Sequence, residues 1–187
     1  MNAVYSRAGM AGITMNTIAA EAGMSKSTLY RLFEDRNALF KAYFEMVRAS
    51  FVRPLSNEDM ELPIAERLRK LLEPRPMASP SGLPIAVIRH VISQVESHPD
   101  LGKACLLDIM HADRALIRAE LDRGVARNEI SIADTDSAAT ILQSMVRIPI
   151  LDLLLAPDMH PGFEDLTAHF ELGLRLFLSG TEIPKSS

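Results

Sequence analysis

Among the 187 residues there is one cysteine, there is no tryptophan, and aromatic residues make up only 5%. A lone Cys105 excludes a disulfide within the chain and any zinc site built on paired cysteines, and a reducing, cytoplasmic setting is the economical expectation. Long apolar runs are missing as well. The most apolar stretch, residues 141–155, is broken by Arg147, Pro149 and Asp152, short of the roughly 20 apolar residues that a membrane span needs. The N-terminal residues lack the apolar core of a secretory leader, so no export is expected. No two of the five histidines (His90, His98, His111, His160 and His169) stand four apart on a helical face, and no carboxylate cluster completes a metal site. Neither a metal nor a cofactor is expected. A glycine-rich phosphate loop and a nucleophile elbow are both absent, which argues against an enzyme.

What remains is an ordinary globular composition, 48% hydrophobic and 24% charged, enough for one domain or for a small module joined to a larger one. The net charge of -4 is unevenly spread. Residues 1–53 hold seven Lys/Arg (Arg7, Lys26, Arg31, Arg36, Lys41, Arg48, Arg53) against four Asp/Glu, whereas the rest of the chain holds 13 basic and 20 acidic residues. A basic head that could meet phosphate therefore precedes an acidic body that would not.

Proline marks the joints. The polar stretch between Pro54 and Pro63 disfavours helix and places a domain boundary there, giving residues 1–53 and 54–187. Four prolines and a glycine in residues 74–84 exclude a helix and predict a surface loop. Between these breaks the apolar spacing is helical: Phe40, Phe44, Val47 and Phe51 recur at three and four, as do Ile64, Leu68, Leu71 and Leu72. Residues 85–95 are apolar around most of the circumference, which predicts a central helix. Asp134 or Thr135 caps a helix running towards Leu155 that Pro149 should kink or interrupt. The expected fold class is all-α.

One window carries a specific chemistry. Thr14 can cap a short helix with Ile18, Ala19 and Ala22 facing inward; Gly23 supplies a tight turn; Ser25 caps a second short helix whose Leu29, Leu32 and Phe33 face the first. This is the pattern of a helix-turn-helix. On the second helix Ser27, Tyr30 and Arg31 are left pointing outward, flanked by Lys26 and Thr28, a short donor-rich set suited to base edges in a major groove. Arg36, at the start of the next helix, is expected to hold phosphate rather than to read sequence.

The run from Thr28 to Phe40, with Ile18 to Lys26 before it, resembles the N-terminal domain of TetR-family transcriptional regulators. The resemblance implies a homodimer binding a double-stranded DNA operator, usually as a repressor, and a variable helical domain that takes a small-molecule effector. Residues 121–130, the capped helix after them and a last helix from Phe163 to Leu178 are similar to the C-terminal half of such regulators, where two long helices of each subunit pair. The candidates for that pairing are Ile141, Met145, Leu155, Leu166, Phe170, Gly173, Leu174 and Phe177. One departure stands out: the family has a full helix before the helix-turn-helix, and here only residues 3–8 precede the Gly9–Gly12 turn. The expectation is that the natural chain starts upstream of Met1 or that the first helix is truncated.

Effector contacts are less legible. His90, Gln94, Met110, His111, Gln143 and Arg147 are polar or adaptable groups on apolar helices, and each is either a ligand contact or a satisfied core residue. The ten methionines suit a reshaping pocket and ordinary core filling equally well. The alternative to a regulator is a small-molecule binding helical protein whose head has weakened or lost its hold on DNA.

Overall fold

Several helices start where a side chain or a proline can start them. A computed structural model describes residues 1–48, 52–75, 83–103, 107–156 and 161–181. Its helices are α1 (Asn2–Ala8), α2 (Met15–Glu21), α3 (Lys26–Leu32), α4 (Arg36–Arg48), α5 (Ile64–Leu72), α6 (Leu83–Gln94), α7 (Pro99–Gly102), α8 (Asp108–Ala126), α9 (Thr135–Met145), α10 (Ile150–Leu155) and α11 (Phe163–Ser179), with tighter 3-10 turns at Met10–Gly12 and Asp59–Glu61. No strand occurs among the described residues, so the fold is all-α.

The caps explain the starts. Thr14 and Thr17 form a reciprocal capping box on α2, and the Ser25 hydroxyl accepts the Thr28 amide at 3.1 Å on α3. Of the two candidates before α9, Asp134 is the cap, its carboxylate accepting the amides of Asp136 and Ser137 at 3.1 Å. Pro149 does interrupt: α9 ends at Met145 and α10 begins immediately after the proline. Most of the proline-rich stretch at 74–84, together with Cys105 and His160, lies outside the described residues.

Contacts group the chain into two compact units, Met1–Arg48 with Met77–Ile109 and Ala49–Pro76 with Met110–Ser187. A proline-based boundary at 53/54 divides the sequence; by contacts, α6 and α7 group with the N-terminal helices.

The first unit buries Val4, Ile13, Met15, Ile18, Ala19, Leu29, Leu39 and Phe40, joined by Tyr43, Phe44 and Val47 of α4 and by Leu83, Ala86, Val87 and Val91 of α6. Burial pushes the Tyr43 hydroxyl up to about 12. Arg7 and Glu21 pair between α1 and α2. α6 packs on α4 and on the Met10–Gly12 turn, so it adds wall to a core that the two-turn α1 covers sparingly. Only one side of it is buried within this unit. Ile92, and Val95 just past its end, are exposed, although the apolar spacing of residues 85–95 predicts a central helix.

The second unit is built on α5, α8, α9 and α11, whose Leu68, Leu71, Ile117, Leu121, Leu142, Phe170 and Leu174 form one core. Gly173 lets α11 sit against the backbone carbonyl of Met145 on α9, where a Cβ would collide. The close approach that this glycine permits is therefore within the chain. In the same unit the side chain of Arg67 is wholly buried, donating to Glu120 at 2.9 Å, Glu129 at 2.7 Å and the Leu62 carbonyl at 2.5 Å. A guanidinium there is tolerable only because its donors are answered.

Candidate nucleic-acid interface

α2 and α3 are seven residues each, and most of what orients them is local. Gly23 takes φ +65°, the left-handed backbone that turns the chain out of α2, and Ala22, Gly23 and Met24 donate back to the carbonyls of Ile18, Ala20 and Ala19. Ile18 and Ala19 face inward as expected. Ala22 does not: α2 ends at Glu21, and Ala22, at its C-cap, is exposed.

α3 buries Leu29 and no other residue fully. Leu32, expected on the same face, is 60% exposed. It is the last helical residue, about 60° round the wheel from Leu29, and the chain leaves it in extended conformation at Phe33, which is the half-buried residue instead. The outward side carries Lys26, Ser27, Tyr30 and Arg31, all exposed, with Thr28 at its half-buried flank. Lys26 lies over the ring of Tyr30, 5.8 Å from its centroid, one turn away on the helix. The hydroxyl of Ser25 sits 2.9 Å from that of Ser27 and 2.8 Å from that of Thr28. Three hydroxyls, one ammonium, one phenol and one guanidinium thus crowd one face of a two-turn rod. Chemically that face offers donors and a π surface, and no carboxylate within the helix. Thr14 is exposed at the start of α2.

Arg36 behaves differently. At the head of α4, it is half-buried and turned onto the Phe40 ring, 5.2 Å from its centroid. Its Nη1 donates to the Ile13 carbonyl at 3.4 Å and its Nη2 lies 2.6 Å from Nε2 of His90 on α6. His90 stands edge-on to the same Phe40 ring, 5.5 Å between centroids at 71°. Desolvation first, and the Arg36 charge second, hold the His90 imidazole below its ordinary pKa. Sequence reasoning named Arg36 and His90 separately; nothing in their 54-residue separation announces the contact.

Residues 2–43, which contain this face, match the family model described as "Bacterial regulatory proteins, tetR family". Residues 75–179 match a second model, described as "AefR-like transcriptional repressor, C-terminal domain". The chain belongs to the TetR family of transcriptional regulators. As a TetR-family member it is a transcription factor, not an enzyme. Solved structures agree on the fold. A TetR-family transcriptional regulator from Mesorhizobium loti is 22% identical, with 97% of this chain and 93% of that one covered and a TM-score of 0.63. A TetR transcriptional regulator from Agrobacterium tumefaciens is 19% identical over 98% and 91%, with a TM-score of 0.65. The Flavonoid-responsive Regulator FrrA is 21% identical over 98% and 93%, with a TM-score of 0.59. No protein of curated function matches the chain. None of the described helices of this TetR-family chain is long and apolar enough to cross a membrane.

The effector candidates fall into separate groups. Gln143 is buried and donates to the Met110 carbonyl at 3.2 Å; Arg147 donates to Asp113, itself buried, at 2.7 Å; His169 Nε2 lies 3.1 Å from the Arg147 carbonyl. Met110 and His111 are exposed on α8. Gln94, like His90, is on α6 and is half-buried. Asp113 and His169 carry no distinctive spacing and were not singled out from sequence. Among the pairing candidates, Phe170, Gly173, Leu174 and Phe177 are buried within their own unit, Met145 and Leu166 are half-buried, and Ile141 and Leu155 are exposed.

Proposed function

We propose that the chain is a one-component regulator that binds a pseudo-palindromic operator as a homodimer, represses from it, and is released by a small molecule. The observation that carries this reading is the exposed face of α3, where Lys26, Ser27, Tyr30 and Arg31 stand clear of the core on a helix anchored by Leu29. Arg31 and Ser27 read base edges, and Lys26 and Thr14 position the helix on phosphate. Two copies hold their α3 helices about 34–36 Å apart, one turn of duplex.

The dimer is supported by apolar side chains that the second unit leaves uncovered: Ile141, Leu151, Leu155, Leu172 and Leu176 are all exposed, Leu155 by 75%. Burial of Phe170, Leu174 and Phe177 in the chain's own core leaves the outer faces of α10 and α11 for the partner copy. For the effector, the Met110–Gln143 and Asp113–Arg147 contacts offer polar groups among apolar helices, and the named response of one similar structure, to flavonoids, supports a small organic ligand. The effector acts only as far as it prefers the conformation with the poorer grip on DNA.

Fluorescence anisotropy with duplexes enriched from a random pool by the purified protein, at stated salt, tests the reading. The expected result is a half-site repeat with one dimer bound per duplex by mass. A protein that enriches no sequence over bulk DNA contradicts it.

A further inference from the structure

Arg36 stands three residues beyond Phe33, where the recognition helix ends, yet its donors do not all face outward. A guanidinium carries five N–H donors and no acceptor, and it keeps its charge at any ordinary pH. At 2.6 Å from Nη2, Nε2 of His90 must therefore accept, which fixes the imidazole as neutral with its proton on Nδ1. The pair has a floor. Phe40 is wholly buried, and both Arg36 and His90 pack on its ring, one over the face and the other edge-on. The second tether, from Nη1 to the Ile13 carbonyl, ends one residue before the Thr14 cap of α2. One charged side chain thus joins α4, α6 and the entry to the helix-turn-helix, and each bond it makes inward is a donor withheld from a phosphate.

We propose that His90 is the positioning residue for Arg36: as a neutral acceptor on α6 it draws the guanidinium away from the duplex backbone and so weakens the grip of the head on DNA. This rests on the DNA-binding reading above and names a regulator of that same face. A phosphate is anionic and a better acceptor than a neutral imidazole, so DNA wins the side chain, at the expense of the His90 contact. Apparent affinity is lowered by the share of molecules in which Arg36 is held.

The test compares the full-length wild type with His90→Ala, His90→Gln, Arg36→Met and the Arg36→Met/His90→Ala double variant on a duplex that the wild type itself selects. His90→Ala is expected to bind about three- to tenfold tighter. His90→Gln, whose amide oxygen can accept in place of Nε2, returns to the wild-type value, and His90→Ala has no effect in the Arg36→Met background. Weaker binding by His90→Ala, or an equal gain in both backgrounds, overturns the proposal. A readout without DNA separates it from the function it rests on: in ¹⁵N-resolved NMR the His90 imidazole should be the Nδ1–H tautomer and titrate below the usual histidine range, moving up towards it in Arg36→Met. An imidazole that titrates alike in both proteins overturns the pairing whatever the DNA result. A wild type that selects no duplex overturns the DNA reading, and the withholding role with it, while leaving the imidazole signature intact.

Discussion

α3 and α5 are both short amphipathic helices, and they are used in opposite ways. α5 has nine residues and buries five of them, Ile64, Arg67, Leu68, Leu71 and Leu72, so that even its central guanidinium is drawn into the interior and answered by two carboxylates and a carbonyl. α3 has seven residues and buries one. Such a helix is held by its neighbours, its N-cap and a single anchor, and its polar side is left unspent in the folded chain. The contrast locates function without reference to motif. Where a helix has consumed its own donors in the fold it is structural; where it keeps them exposed and clustered it is available to a partner.

The sharpest way to break this comparison is at Arg67. Arg67→Ala takes the buried guanidinium from Glu120 and Glu129, leaving Glu120 to Arg123 and Glu129 to the Ile64 amide, and is expected to cost about 3–5 kcal/mol in urea unfolding; a loss under 1 kcal/mol would mean that α5 is no better integrated than α3. The same network has a pH signature. Burial pushes the Glu129 carboxyl up, but the Arg67 guanidinium and the Ile64 amide outweigh it and hold it below the usual carboxylate range. A carboxyl depressed in the fold contributes stability above its unfolded pKa, about 4.3 for glutamate, and that contribution fades as pH falls through the lower folded value. Glu129→Gln should flatten that acid limb in thermal melts between pH 7 and pH 3.

Leu29→Ala removes the anchor of α3 and is expected to cost about 2–5 kcal/mol, with hydrogen exchange accelerated first in α2 and α3. Uniform exchange across the first unit would show the anchor to be shared. Ser25→Ala removes the α3 cap for about 1 kcal/mol. Arg31→Ala is the smallest of the series for stability, within about 0.5 kcal/mol by denaturant titration, because its side chain is exposed.

The motif was legible because its requirements are local. Thr14, Gly23, Ser25 and Leu29 do what their spacing implies, since caps, left-handed turns and i to i+4 faces are fixed within a few residues. Leu32 was misread because the wheel does not say where a short helix stops. The Arg36–His90–Phe40 cluster was beyond reach for another reason: it joins residues 54 apart across two helices whose packing no local pattern encodes. Gly173 was recognised as permitting close approach, but only the fold identifies α9 of the same chain as the neighbour. Asp134 rather than Thr135, and an interrupted rather than a kinked helix at Pro149, are choices that the backbone made between alternatives already stated.

The most direct test of the central claim, that α3 reads sequence with its bare face, is equilibrium binding of wild type, Ser27→Ala, Arg31→Ala and Arg36→Ala to the selected duplex and to a scrambled one across a salt series. Arg31→Ala should lose about 1–3 kcal/mol on the selected duplex and little on the scrambled one, Ser27→Ala should shift sequence preference, and Arg36→Ala should weaken both duplexes alike with a salt slope lower by about one. Equal losses on both duplexes from all three variants would contradict the account.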